Sequence, residues 1–206
     1  MSGPRDSELS RQRQATVCNM NLSRYISEVK AFHGYAAPGM VLGGFMVDLA
    51  LSRFPQGVPF DALCETSKCL PDAIQLLTPC TVGNGWLRIL NLGRFALSFF
   101  DKKGGEGTRV FVEPTRLGHW PLIRDWFLKV GPKEKRDLGE LVELLCEVGP
   151  RLLGVQRVRI QPGFLKVRRH RQFTLCSRCG ESYPADDGPV CLGCQGQAPY
   201  AGVFPV

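Results

Sequence analysis

A chain of 206 residues can bury one ordinary core and carry one small appendage. Its 44% hydrophobic and 22% charged residues are those of a globular protein. The polar N-terminal stretch and the absence of a long uninterrupted apolar run argue against a signal peptide and a membrane span. A reducing cytoplasm is therefore expected, where nine cysteines point to metal or thiol chemistry rather than disulfides.

In chain order, residues 1–17 read as a polar, flexible N-terminus. Leu22, Tyr25, Ile26, Val29 and Phe32 have helical spacing, with Gly34 as the stop. A second, mostly buried helix opens at Pro38. A strand is predicted over Phe60 to Thr66 and a short helix over Pro71 to Leu77, ended by Thr78-Pro79. "WLRIL", "RFALSFFDK" and "TRVFVEP" read as strands, with "KKGGEG" as the turn between the last two. Two helices follow, "WPLIRDWFLKV" and "KEKRDLGELVELLCEVG", and then the strand "GVQRVRIQP". This order predicts an α+β domain over residues 18–162, with helices flanking a mixed, largely antiparallel sheet. Residues 163–206 form a basic connector and a cysteine-rich module.

That module carries the strongest motif. Cys176, Cys179, Cys191 and Cys194 form a C-x2-C-x11-C-x2-C array. Two such knuckles offer four thiolates to one tetrahedral Zn²⁺ at about 2.3 Å per bond. With four protein ligands the site is closed, hence structural, and the short module depends on the metal for its folding. A zinc ribbon or treble-clef-like module follows.

The second concentration of chemistry is "LCETSKCLPDAIQLLTPCTVGNG". Cys69 precedes a helix start at Pro71-Asp72, and Lys68 stands beside it, which would favour its thiolate. His33 lies at a break between helices, and the glycine-rich turn after Cys80 permits close approach of a ligand. A histidine, several cysteines and such a turn are the materials of a metal or thiol site. Cys18, Cys146, His119 and His170 read as non-functional.

"FHGYAAPGMVLGG" together with "CETSKCLPDAIQLLTPCTVGNGWLRIL" resembles the E-subunit family of formylmethanofuran dehydrogenase, over roughly Tyr25 to Val112. The resemblance implies a helix-flanked mixed sheet, a homodimer, and a metal pocket lined by His33, Cys69 and Cys80. Glu65, Asp72, Gln75, Thr81 and Asn84 would surround it. The chain departs from the family pattern at Ala37, where a cysteine is usual, at Tyr35, where a second histidine is frequent, and at Pro79, where the family has glycine. Cys64 is an added thiol placed to compensate for Ala37. With Thr78-Pro79 turning Cys80 back towards Cys69, the expectation is one structural zinc plus a weaker second metal.

The leading functional expectation is a metal-binding accessory protein. Its partners would be a molybdenum or tungsten enzyme or a small-molecule ligand, and it would not be a catalyst on its own. Two alternatives stand beside it. One is a zinc-ribbon nucleic-acid binder, since six Arg/Lys and no acid lie between Arg157 and Arg171 within a net charge of +7. The other is a thiol-dependent sulfur or acyl transfer enzyme using Cys69 as nucleophile.

Overall fold

The computed structural model describes residues 16–132, 137–165 and 172–201. The chain divides into two compact units, residues 1–165 and 166–206. The first holds a five-stranded sheet of order β4-β3-β5-β6-β7, made of Leu87–Ile89, Phe60–Cys64, Ala96–Asp101, Glu106–Val112 and Leu153–Arg159. β3 and β4 run parallel, and every other pairing in this sheet is antiparallel. The sheet is thus mixed and largely antiparallel.

β5, "ALSFFD", is buried at five consecutive positions, which is the pattern of a strand covered on both faces. α2 (Pro38–Arg53) packs on β5 and β6, with α1 (Leu22–His33), α3 (Leu70–Leu77) and α6 (Leu138–Val148) around it. It is apolar on nearly every face because it is enclosed on nearly every side. Gly44 is what lets α1 approach so closely. A Cβ there would stand 2.5 Å from the Tyr25 ring, whose hydroxyl donates to the Met40 carbonyl at 2.7 Å.

α1 is capped at both ends. The Asn21 side chain accepts from the Arg24 N–H, and Gly34, at φ +90°, donates to the Lys30 carbonyl. This geometry delivers His33 to the rim of the domain.

Several boundaries differ from those predicted. Val17 is fully buried and belongs to a short hairpin, β1 (Thr16–Val17) with β2 (Met20–Asn21), so the predicted flexible N-terminus extends too far. Apolar contact, invisible in a polar sequence context, fixes it. α6 starts at Leu138 because the Asp137 side chain caps it, accepting from Gly139 and Glu140. α5 (Pro121–Phe127) lies within the helix predicted over "WPLIRDWFLKV", and a short helix that was not predicted, α4 (Pro114–Leu117), precedes it. α7 (Pro162–Leu165) closes the unit. Residues 1–15, the start of the predicted "KEKR" helix and residues 166–171 of the basic connector, with His170, lie outside the described residues. No single helix among the described residues is long and apolar enough to cross a membrane.

The second unit pairs β8 (Phe173–Leu175) with β9 (Ser182–Pro184). Among its described residues only Cys176 and Tyr183 are buried, so it has almost no apolar core.

Candidate metal centre and thiol site

In the second unit the sulfurs of Cys176, Cys179, Cys191 and Cys194 all lie within 4.8 Å of one another. Cys179 and Cys191 are 3.7 Å apart, close to the roughly 3.8 Å edge of a ZnS₄ tetrahedron with 2.3 Å bonds. Backbone N–H groups point at the sulfurs, from Cys191 to Cys176 at 3.5 Å and from Cys194 to Cys191 at 3.4 Å. Backbone donors from Cys191, Cys179 and Arg178, foremost the one from Cys191, hold the Cys176 thiol down to about 6. Shared hydrogen bonds with Cys191 and Cys179 push Cys194 up to about 12. Four crowded sulfurs cannot all ionise alone, and a divalent cation is what lets them do so. The donor set fits zinc.

The first unit holds a different arrangement. Cys69 sits immediately before α3 with φ +50° and ψ −50°. The Leu70 N–H donates across it to the Lys68 carbonyl at 2.5 Å, a γ-turn centred on a residue with a side chain. Such a conformation costs of order 1–3 kcal/mol and concentrates at functional sites. The Cys69 sulfur lies 4.0 Å from His33 Nε2. On the far side of the ring, His33 Nδ1 lies 2.7 Å from Asp72 Oδ2, in the first turn of α3. The carboxylate engages Nδ1, so Nε2 is the ring nitrogen that faces the sulfur. Sulfur, imidazole and carboxylate stand in sequence.

Burial raises the Cys69 thiol above its ordinary value, and the Asp72 carboxylate adds to this more than Lys68 offsets it. The expectation that the helix start and Lys68 would favour the thiolate is therefore corrected. At rest Cys69 is a protonated thiol.

The predicted four-residue site is not assembled as expected. Cys64 and Cys80 are fully buried in the core. The Cys64 sulfur donates to the Thr66 carbonyl and burial pushes it up to about 12. The Cys80 sulfur donates to the Phe60 carbonyl, away from the turn that was expected to bring it to Cys69. His33, Cys64, Cys69 and Cys80 do not bring three donor atoms within 4.8 Å of one another. Of the surrounding residues, Asp72 and Gln75 line the depression beside His33 and Cys69. Thr81 and Asn84 instead bond one another and close a turn that bonds Gln75 through the Val82 N–H.

Cys69 also opens onto a second cleft of about 540 Å³, where β3 and β6 end and β5 begins. Lys68, Arg94, Arg109 and Lys129 line it, with Phe95, Trp126 and Phe127, and among the described residues no carboxylate is in the lining. Glu65 lies behind it, almost fully buried. It accepts from Arg109 at 2.6 and 2.9 Å and pairs with Arg94 at 2.7 Å. Burial pushes the Glu65 carboxyl up, but the two guanidiniums outweigh burial and hold it below its usual value. Its stabilising contribution is present above pH 4.5 and is lost as pH falls through the depressed value. Glu65→Gln is expected to cost about 3 kcal/mol, by leaving a half-buried Arg109 unbalanced, and to flatten the acid limb of stability. Urea unfolding at acid and neutral pH checks this.

Sequence reading missed the cleft, because its cations come from four separate segments. It also missed Gly39, where a Cβ would stand 2.9 Å from Cys69 Cβ and 3.0 Å from its sulfur. Gly39→Ala is expected to displace Cys69 and destabilise the unit by about 1–3 kcal/mol. Thermal unfolding and the rate of Cys69 alkylation read the two effects.

The sequence model described as "FmdE, Molybdenum formylmethanofuran dehydrogenase operon" matches residues 32–160. The chain belongs to the FmdE family. A second model, the FmdE treble clef zinc finger, matches residues 167–201, so the tail is the zinc-binding module of that family. The crystal structure of a tungsten formylmethanofuran dehydrogenase FmdE-like protein from Syntrophus aciditrophicus is similar, with a TM-score of 0.83 and 48% identity. The match covers 92% of this chain and all of that one. A probable S-adenosyl-L-methionine-binding protein of Archaeoglobus fulgidus is 30% identical over 198 residues, covering 85% of this chain. The FmdE chain spans 53% of that relative's length.

Proposed function

We propose that this FmdE-family protein is a zinc-stabilised, thiol-dependent acyl-transfer protein that works alongside a molybdenum or tungsten enzyme. Cys69 carries the acyl group. The observation that supports this most directly is the series Cys69 sulfur, His33 and Asp72, on a cysteine strained into a γ-turn. The family description names a formyl-bearing molecule, and formyl is the smallest acyl group.

In the reaction, the thiol of Cys69 gives its proton to His33 Nε2 as its sulfur bonds to the carbonyl carbon of a thioester. The donor's C–S bond breaks, and the same proton passes from Nε2 to the departing thiolate. No electrons change hands. Asp72 holds the ring in the accepting tautomer and stabilises the imidazolium. A protonated resting thiol suits this order of events, because the nucleophile is generated only in the transition state.

A second reading, in which His33 and Cys69 share a metal, draws support from the same Asp72–His33 bond, a common support for a ligating imidazole. Two side chains fall one short of the three that a catalytic zinc ordinarily takes. S-adenosyl-L-methionine, named for the Archaeoglobus relative, would bring a sulfonium against a cationic cleft, so the reading does not rest on it. Homodimerisation remains part of the proposal on family grounds.

The test is incubation of the zinc-loaded full chain with an acetyl thioester, followed by peptide mapping. A single acetyl group on Cys69, absent in Cys69→Ala, is expected. Acetylation spread over several cysteines at the rate of free thiol would end the acyl-transfer reading.

A further inference from the structure

The cleft beside Cys69 says more about the donor than the thiol does. Its aromatic wall is continuous, with Phe95 set edge-on to Phe127 at 6.1 Å and Trp126 beside Phe127 at 6.0 Å between ring centroids. The nitrogens of Arg109 are engaged by Glu65 and by Gln156. Arg94 is tethered to Glu65 through Nε, while its side chain remains 59% exposed. Among the described residues, neither Lys68 nor Lys129 has a carboxylate within ion-pair distance, and both face the same opening.

Among the described residues, four cations against one carboxylate leave a positive cleft, and Glu65 fixes where two of those cations stand. Low-dielectric walls lined by one sign of charge raise the local concentration of the opposite ion. A planar group on Trp126 and Phe127 gains stacking energy, and an anion gains paired donors from Lys68, Arg94 and Lys129. Neither feature alone selects a ligand class. Together, next to a nucleophilic sulfur, they do.

We infer that the acyl donor is an aromatic anion, a planar ring joined to a phosphate or carboxylate, which the cleft binds while its thioester reaches Cys69. The inference rests on the acyl-transfer reading for its chemistry, but its binding half stands apart and is tested apart. Phenyl phosphate, benzoate, phenol and inorganic phosphate are titrated against the zinc-loaded Cys69→Ser chain by Trp fluorescence and calorimetry. AMP and adenosine extend the series to a larger ring.

Phenyl phosphate or benzoate is expected to bind at least about tenfold more tightly than phenol or inorganic phosphate, and AMP more tightly than adenosine. The comparison of phenyl phosphate with benzoate identifies the anion. Lys68→Gln/Lys129→Gln should weaken the aromatic anions about tenfold and reduce their salt dependence. Trp126→Ala should weaken them by a similar factor. Circular dichroism verifies that each variant folds, and Lys129→Gln alone serves if the double variant does not. Binding that ignores both substitutions, or no binding by any of the aromatic anions, overturns the inference. Binding as expected without acylation of Cys69 would leave the cleft assignment standing and remove the thiol chemistry.

Discussion

Replacing His33 by alanine is expected to slow acetylation of Cys69 by about 10²–10⁴-fold, the range that a positioned general base contributes. The size follows from the resting state. Burial and the Asp72 carboxylate keep Cys69 protonated, so reaction needs an acceptor for its proton, and His33 Nε2 is the one in reach at 4.0 Å. Asp72→Asn should give a smaller loss, since an amide can still hold the ring but offers no charge to the imidazolium. A merely structural histidine would change stability without slowing acetylation of the folded chain, so acetylation rates measured beside thermal unfolding separate the two roles.

The second large effect belongs to the tail. Cys176→Ser is expected to unfold residues 172–201 and leave the first unit folded, because the tail buries only Cys176 and Tyr183 among its described residues. Two buried side chains cannot offset the conformational entropy lost on ordering those residues. Zinc binding is coupled to folding in such small modules and contributes the free energy that the core lacks. The first unit has its own core, from Val17 to Leu153. Limited proteolysis with and without a strong chelator checks this. A tail that resists protease after losing its zinc would contradict it.

The fold was legible where burial imposes a period. α1 shows helical spacing, β5 a buried run, and the helices between strands mark an α+β unit. The four tail cysteines were legible because their ligand spacing is local. The thiol site was only half so. His33 and Asp72 are 39 residues apart, and a resemblance that paired them with Cys69 and Cys80 could not say which sulfur faces the imidazole. Backbone geometry decides that. The γ-turn keeps Cys69 half-buried with its sulfur beside the imidazole, whereas β3 carries Cys64 into the core and the loop after α3 carries Cys80 there. The cleft was illegible because Lys68, Arg94, Arg109 and Lys129 meet only once the sheet has formed. Glu65 was singled out beside the cysteines, yet its partner Arg109 sits 44 residues on, in an alternating strand where one basic residue looks like another.

Native mass spectrometry of the full chain after exposure to an acetyl thioester tests the central claim most directly, since one spectrum counts metals and acyl groups together. The account expects one zinc and one acetyl group per chain, with the acetyl lost and the zinc kept in Cys69→Ala. Two metals per chain, with the second lost in Cys69→Ala and no acetyl group on the protein, would contradict it and make Cys69 a ligand.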